Sequence, residues 1–323
     1  MKRREFTLAA AAALLAPALS ARADSYPSRA VRLIVPYPPG GGTDTVARTV
    51  FAHVAALLGQ PFVVENKAGA GTTIGLAELA RSHPDGYTVG VGGSSDPLLP
   101  LLYGKLPFNP VADLSFVATL ATVPIVLVAG PGLPAKTMRE LLSVARAKGA
   151  QPLGYASPGT ASPHHLAGIY LAQMAGIALE HVPYKGSAQA ISDVIGGHVP
   201  LAMLGLPSAL PFMRQGKLKI LGVASAQRSA LAPDIPTISE GGVPGFSAGY
   251  WWHVTVPTGT PQPVIGQLRE AIDKTLRTPA LTESLLKSGF EPMLLSPAEA
   301  ERALKEDTAR WTKVIRENNL RGG

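Results

Sequence analysis

The chain has 323 residues, with 34 glycines and 30 prolines making about a fifth of it and only 16% charged residues; with 46% hydrophobic residues and no three-residue glycine period it is neither disordered nor collagen-like. Its formal charge of +7 includes no run of five basic residues, which argues against a nucleic-acid surface. The complete absence of cysteine excludes a disulfide framework, a thiolate nucleophile and a cysteine-based metal site.

The N-terminus combines Lys2, Arg3 and Arg4, an uncharged apolar stretch over 8–16, and Ala21-Arg22-Ala23. A basic region, a short apolar region and an A-x-A site define a secretory signal peptide over 1–23, so the expected location is the periplasm. Arg3-Arg4 followed by Phe6 fits the twin-arginine route as well as ordinary Sec export. Removing the signal takes away a net +3 and leaves the mature chain at about +4. No second segment reads as a membrane span: the apolar stretch 116–129 is too short and is interrupted by Thr119, Thr122 and Pro124.

From there, short β-branched runs alternate with helical patterns. Strands are expected at 31–35, 62–65 and 87–91, with one or two more inside 116–129; helices are expected at 43–58 and 73–81. Thr137 and Glu140 form a capping-box pattern opening a helix to 147. A strand at 153–156 precedes Ser162-Pro163, an N-cap followed by proline at the first helical position, which opens a helix to 175. Then come a strand at 180–184, a helix at 187–195, a strand at 199–204, a helix at 208–215, and strands at 219–224 and 251–256. Three helices close the chain, at 261–277, 280–288 and 297–318, the last behind a second capping box at Ser296 and Glu299. This rhythm implies an α/β fold with mostly parallel sheets. The strandless C-terminal helices need a sheet built earlier in the chain to pack against.

Three strand-to-helix turns concentrate the glycines and hydroxyls. The first runs from Pro36 and Tyr37 through Gly40-Gly41-Gly42 to Thr43 and Asp44, the second from Asn66 through Gly69-Ala70-Gly71 to Thr72, and the third from Ser157 through Thr160, Ala161 and Ser162 to His164 and His165. Such turns aim backbone N–H groups and a helix N-terminus at one point, which suits an anion. Three of them after strands imply a binding cleft at the strands' carboxyl ends. Valine at Gly41 or Gly42 is therefore expected to obstruct a ligand more than it harms the fold. Asp44 reads either as a first-turn carboxylate complementing the helix dipole or as a group facing the ligand. Trp251-Trp252 read as core or hinge packing, and His164, His165 and His181 as surface or satisfied core residues. Walker, H-E-x-x-H and G-x-S-x-G patterns are absent, and no metal or cofactor is expected.

These turns, taken with Pro84-Asp85-Gly86-Tyr87, His181-Val182-Pro183-Tyr184-Lys185-Gly186-Ser187, Pro233-Asp234-Ile235-Pro236-Thr237 and Gly242-Val243-Pro244-Gly245-Phe246, make the mature chain resemble the Bug/TctC periplasmic substrate-binding proteins of tripartite tricarboxylate transporters. The resemblance implies a two-lobed periplasmic-binding-protein fold, type II-like, with two chain crossings; lobe one would span 24–124 plus 249–323 and lobe two 125–248. It implies a monomer without enzymatic activity, whose partners are a small carboxylate ligand and membrane transporter subunits or a sensor. The carboxylate would be a dicarboxylate, an acidic amino acid or an aromatic acid. The ligand-binding set it implies is Tyr37, Gly41, Gly42, Thr43, Asp44, Ala70, Gly71, Thr72 and Ser94 from lobe one, with Ser157, Thr160, Ala161, Ser162, His165, Tyr184 and Lys185 from lobe two. Three departures from the family pattern imply an altered specificity: Ala161 for glycine, Met203-Leu204-Gly205 for Met-Phe-Asp, and Gly93-Ser94-Ser95-Asp96-Pro97 where a Thr-His pair is common. Two other readings of the residues stay open: a secreted serine hydrolase using Ser157 or Ser162 with His164 or His165, and a dinucleotide enzyme using Gly69, Gly71 and Gly75.

Overall fold

Two sheets divide the chain, and the points where it passes between them decide where a cleft can form. The computed structural model describes residues 26–322, so the expected signal peptide lies outside the described residues. The first passage comprises β1 (Val31–Val35), α1 (Gly42–Leu58), β2 (Phe62–Asn66), a 3-10 turn at Ala70–Thr72, α2 (Thr73–Ala80), β3 (Thr88–Gly93), a 3-10 turn at Asp96–Leu98, α3 (Leu99–Tyr103) and β4 (Leu114–Val123). The middle passage holds β5 (Ile125–Ala129), α4 (Met138–Ala145), β6 (Leu153–Ser157), α5 (Pro163–Ala175), β7 (Leu179–Pro183), α6 (Ser187–Ile195), β8 (Leu201–Gly205), α7 (Leu206–Arg214) and β9 (Lys219–Val223). The chain returns through β10 (Tyr250–Pro257), α8 (Gln262–Leu276), α9 (Pro279–Lys287), β11 (Glu291–Pro292) and α10 (Pro297–Glu317).

One sheet has the order β11-β4-β10-β3-β1-β2 and the other β7-β6-β8-β5-β9. The chain crosses from the first sheet to the second at Pro124 and back between β9 and β10. The run 116–129 is therefore two strands: proline has no N–H to continue a ladder, and the strands it separates belong to different lobes.

The expectation of mostly parallel sheets fails. Pairs β1–β2, β1–β3, β6–β7 and β6–β8 are parallel, whereas β10–β3, β10–β4, β11–β4, β5–β8 and β5–β9 are antiparallel. The cause is the crossings. Each first strand after a crossing, β5 or β10, inserts between two strands of the receiving sheet and runs against both. Neither α3 nor β11 is foreseen from sequence, because five residues and two residues are too short to show a period.

The elements form for local reasons. In α1, Val46, Ala47, Val50, Phe51 and Val54 recur at helical spacing and are all buried, and Gly59, at φ 70°, ends the helix by donating its N–H to Ala55 O. Ser296 and Glu299 close a full capping box at α10. Helices α8 and α9 pack on α1 and on the first sheet through Ile265, Leu268, Ile272, Leu281 and Leu285. The last helix behaves differently. Trp311, Val314 and Ile315 enter a core shared with Leu127, Tyr155, Leu166, Leu171 and Met203 of the five-stranded lobe, while Asp307 accepts a hydrogen bond at 3.0 Å from Trp251 Nε1 on β10. Helix α10 thus straddles both lobes.

Candidate functional site

The first and second turns sit side by side because β1 and β2 are neighbouring parallel strands. Asp44 holds them together. It is 4% exposed, and its carboxylate accepts from Gly40 N at 2.9 Å, Arg48 Nε at 2.9 Å and Asn66 Nδ2 at 2.9 Å. Asn66 Nδ2 also donates to Tyr37 O at 3.0 Å. Burial alone would raise the Asp44 pKa, but the hydrogen bonds from Arg48, Gly40 and Asn66 outweigh it and hold it below its ordinary value of 3.8. Both of its oxygens are engaged in shaping the turns.

Gly40 is the glycine this conformation requires, at φ 78°, whereas Gly41 caps α1 at φ −76°. A Cβ on Gly41 would meet only Pro38 O at 3.5 Å, but one on Gly42 would lie 3.4 Å from Trp252 and 3.5 Å from Phe290. The two glycines expected to act alike therefore differ: Gly41 borders open space and Gly42 backs onto the core. Thr43 is buried and accepts from Trp252 Nε1 at 2.8 Å, which explains the core tryptophan.

In the second turn Ala70, Gly71 and Thr72 all have positive φ, at 44°, 59° and 85°. Such a backbone is unusual for a β-branched residue and is retained where surroundings enforce it. The Thr72 hydroxyl is enclosed and has no hydrogen-bond partner among the described residues. Gly71 must lack a side chain because a Cβ would collide with the Tyr103 ring. At the sheet's end Tyr37 and Tyr250 join hydroxyls at 3.1 Å; burial and the nearby Asp96 push Tyr37 up to about 12, so it stays a neutral donor and acceptor. Ser94 is absorbed into the sheet: its N–H donates to Trp251 O at 2.9 Å and its hydroxyl accepts from Trp251 N. Asp96, noted in the sequence only as part of the 93–97 departure, follows two residues on, accepts from Gly93 N at 2.9 Å and is pushed by burial to about 7.

The third turn is built on β6 and α5. Ser162 caps α5, accepting from His165 N at 3.2 Å and donating to Gly159 O at 2.7 Å. Ala161 takes φ 58°, and its N–H donates to His165 Nδ1 at 3.0 Å, which assigns the proton of neutral His165 to Nε2. His165 stacks on His181 with centroids 3.5 Å apart, and His181 Nε2 lies 2.7 Å from Ser157 Oγ. Burial pushes both histidines down to about 4, so they are uncharged at neutral pH. From the sequence His181 reads as a surface or satisfied core histidine; nothing there marks its pairing with His165 across two elements. Thr160 and Lys185 are exposed, while the Tyr184 hydroxyl turns away from this turn to donate to Asp193 at 2.6 Å.

The hydrolase arrangement does not assemble. Ser157 is fully buried and pairs with His181 instead of His164 or His165, and the Ser162 hydroxyl is engaged in the helix cap. Among the described residues no group of three metal-ligating side chains occurs, and no helix is long and apolar enough to cross a membrane.

Two lobes on separate α/β sheets, crossed twice by the chain and bearing amide-rich turns at strand ends, define the periplasmic-binding-protein class of fold. Residues 46–320 match the family model of the tripartite tricarboxylate transporter family receptor, TctC. The protein BugT of Bordetella pertussis is 35% identical over 301 residues, 93% of this chain and 92% of that protein. A solved R. palustris structure with adipate is 32% identical with a TM-score of 0.77, over 92% of this chain and 100% of that one. MatC from Rhodopseudomonas palustris with bound malate is 31% identical with a TM-score of 0.71, over 90% and 100%. This chain belongs to the Bug/TctC family of periplasmic solute-binding receptors.

Proposed function

We propose that this protein is exported to the periplasm through its N-terminal signal, captures a small organic carboxylate between its lobes, and presents the closed complex to the membrane subunits of a tripartite tricarboxylate transporter. The lobes are taken as 24–124 plus 249–323 and 125–248. The observation carrying this reading is the second turn: three consecutive left-handed residues hold an enclosed Thr72 hydroxyl without a partner among the described residues at the N-terminus of α2. Strain of this kind belongs to a site that recognises something. The opposing contacts come from neutral donors on the third turn, notably His165 Nε2, so an anion is held by dipoles and hydroxyls without a buried cation.

Closure follows from that division. Each lobe supplies part of the donor set, so the ligand gains its full contacts only when the lobes meet and the hinge equilibrium shifts towards the closed state. Adipate and malate, bound by two relatives, are the first probes. Ligand at about 100 times its Kd stabilises the protein by about 2.7 kcal/mol, a rise in melting temperature of about 5 °C. A carboxylate panel that shifts nothing, with no small acid co-purifying by mass spectrometry, refutes the proposal.

A further inference from the structure

Given that reading of the cleft, we infer that Tyr103 is the positioning residue of its second turn: the ring, backed by Gly322 beyond α10, holds Gly71 in the left-handed conformation that meets the ligand.

The turn at 70–72 does not hold itself. Ala70 and Thr72 lack glycine's freedom at positive φ, and Gly71 between them, at φ 59° and ψ 37°, is the residue freest to leave that region. Two bonds come from the turn's own residues, Thr72 N to Gly69 O at 3.1 Å and Thr73 Oγ1 to Ala70 O at 2.8 Å. Gly71 N makes no such bond among the described residues, so the shape of this residue depends on what packs against it. That neighbour is Tyr103, the last residue of α3, whose Oη, Cζ and Cε2 atoms fill the place where a side chain on Gly71 would stand.

The ring is itself wedged. A Cβ on Gly322 would lie 2.5 Å from Tyr103 Cζ and 2.6 Å from Cε1, so Gly322 abuts the same end of the ring. Three bonds hold the segment after α10 in this place: Leu320 N donates to Ile315 O at 3.0 Å, Gly322 N to Leu102 O at 3.0 Å and Arg321 Nη1 to Leu101 O at 3.4 Å. Tyr103 also packs on two cores, one formed by Ile34 of β1 with Leu76 and Leu79 of α2, the other shared by α10 and the five-stranded lobe. With the ring in place the turn is preformed. Without it Gly71 samples other conformations, and the apparent affinity falls in proportion to the time the binding shape is held.

Calorimetric titration with adipate and malate, paired with hydrogen exchange of the peptide 66–75 in the ligand-free protein, tests this. Tyr103→Leu removes the ring end; it should bind about fivefold or more weakly and exchange the turn's amides about fivefold or more quickly. Tyr103→Phe, which keeps the ring, should restore both to within about twofold of wild type. Gly322→Val lies outside the turn, yet it should weaken binding about threefold or more by driving the ring off Gly71. Added to Tyr103→Leu it should cost almost nothing further, the non-additivity expected of two changes acting through one ring. If Tyr103→Leu does not fold, Gly322→Val carries the test. Unchanged binding and exchange in Tyr103→Leu or Gly322→Val, additive losses in the double variant, or a loss in Tyr103→Phe as large as in Tyr103→Leu overturns the positioning role and leaves the carboxylate reading standing. A wild-type protein that binds neither acid counts against the carboxylate reading, and the exchange comparison then decides the positioning role alone.

Discussion

Asp44→Asn isolates the residue that ties the two lobe-one turns together. The amide keeps one acceptor oxygen but turns an NH2 towards donors that now lack a partner. The Gly40 N–H and Asn66 Nδ2 bonds to the carboxylate contribute about 1.5–3 kcal/mol each. The Arg48 side chain is 52% exposed, so its ion pair is screened and adds about 0.5 kcal/mol. Since the variant retains part of this set, a loss of about 2–4 kcal/mol is expected, or about 4–8 °C in melting temperature. The pH dependence makes the test specific. A carboxylate held below 3.8 contributes stability fully present above that value and lost as pH falls through its lower folded pKa. The gap between wild type and variant, followed by circular dichroism melts, should be widest near pH 7 and narrow below about pH 4. A gap as wide at pH 3 as at pH 7, or none at pH 7, would refute the reasoning that the charge anchors the turns.

The two glycines should part company: Gly41→Val is expected to leave the melting temperature within about 2 °C while weakening carboxylate binding at least tenfold, because its nearest contact is a single carbonyl at 3.5 Å. Gly42→Val should instead overpack Trp252 and Phe290 and lower stability by about 1–3 kcal/mol, read in the same melts. Ala161→Gly removes a Cβ from a residue at φ 58°; relief of about 1–2 kcal/mol exceeds the added chain entropy of about 0.4–1 kcal/mol, so the variant should melt slightly higher. A lower melting temperature for Ala161→Gly would mean that the left-handed conformation is not strained.

What the sequence made legible was whatever depends on neighbours in the chain. The strand–turn–helix rhythm, the caps at Ser162 and Ser296 and the three turns are all local patterns, and they located the residues Asp44 joins. What stayed hidden depends on residues far apart. Nothing near Trp252 says that its Nε1 will reach Thr43, and nothing near His181 says that it will stack on His165. Gly40, Gly41 and Gly42 are indistinguishable as letters; only the direction of each missing Cβ separates a backbone requirement from an open site and a packed core. Sheet direction failed for the same reason, since two strands inserted after crossings reverse the local parallel logic.

The insertion of β10 between β3 and β4 also sets an order of assembly during synthesis. Tyr250 pairs with Val123, so the six-stranded sheet has an unfilled slot until nearly 130 more residues have been made, about 6–25 s of translation. The middle passage, β5 to β9, has all its strands within one continuous stretch and meets no such delay. Until β10 arrives, β3 and β4 keep the facing edges that it later fills, and the amide turns beyond β1 and β2 rest on an incomplete sheet.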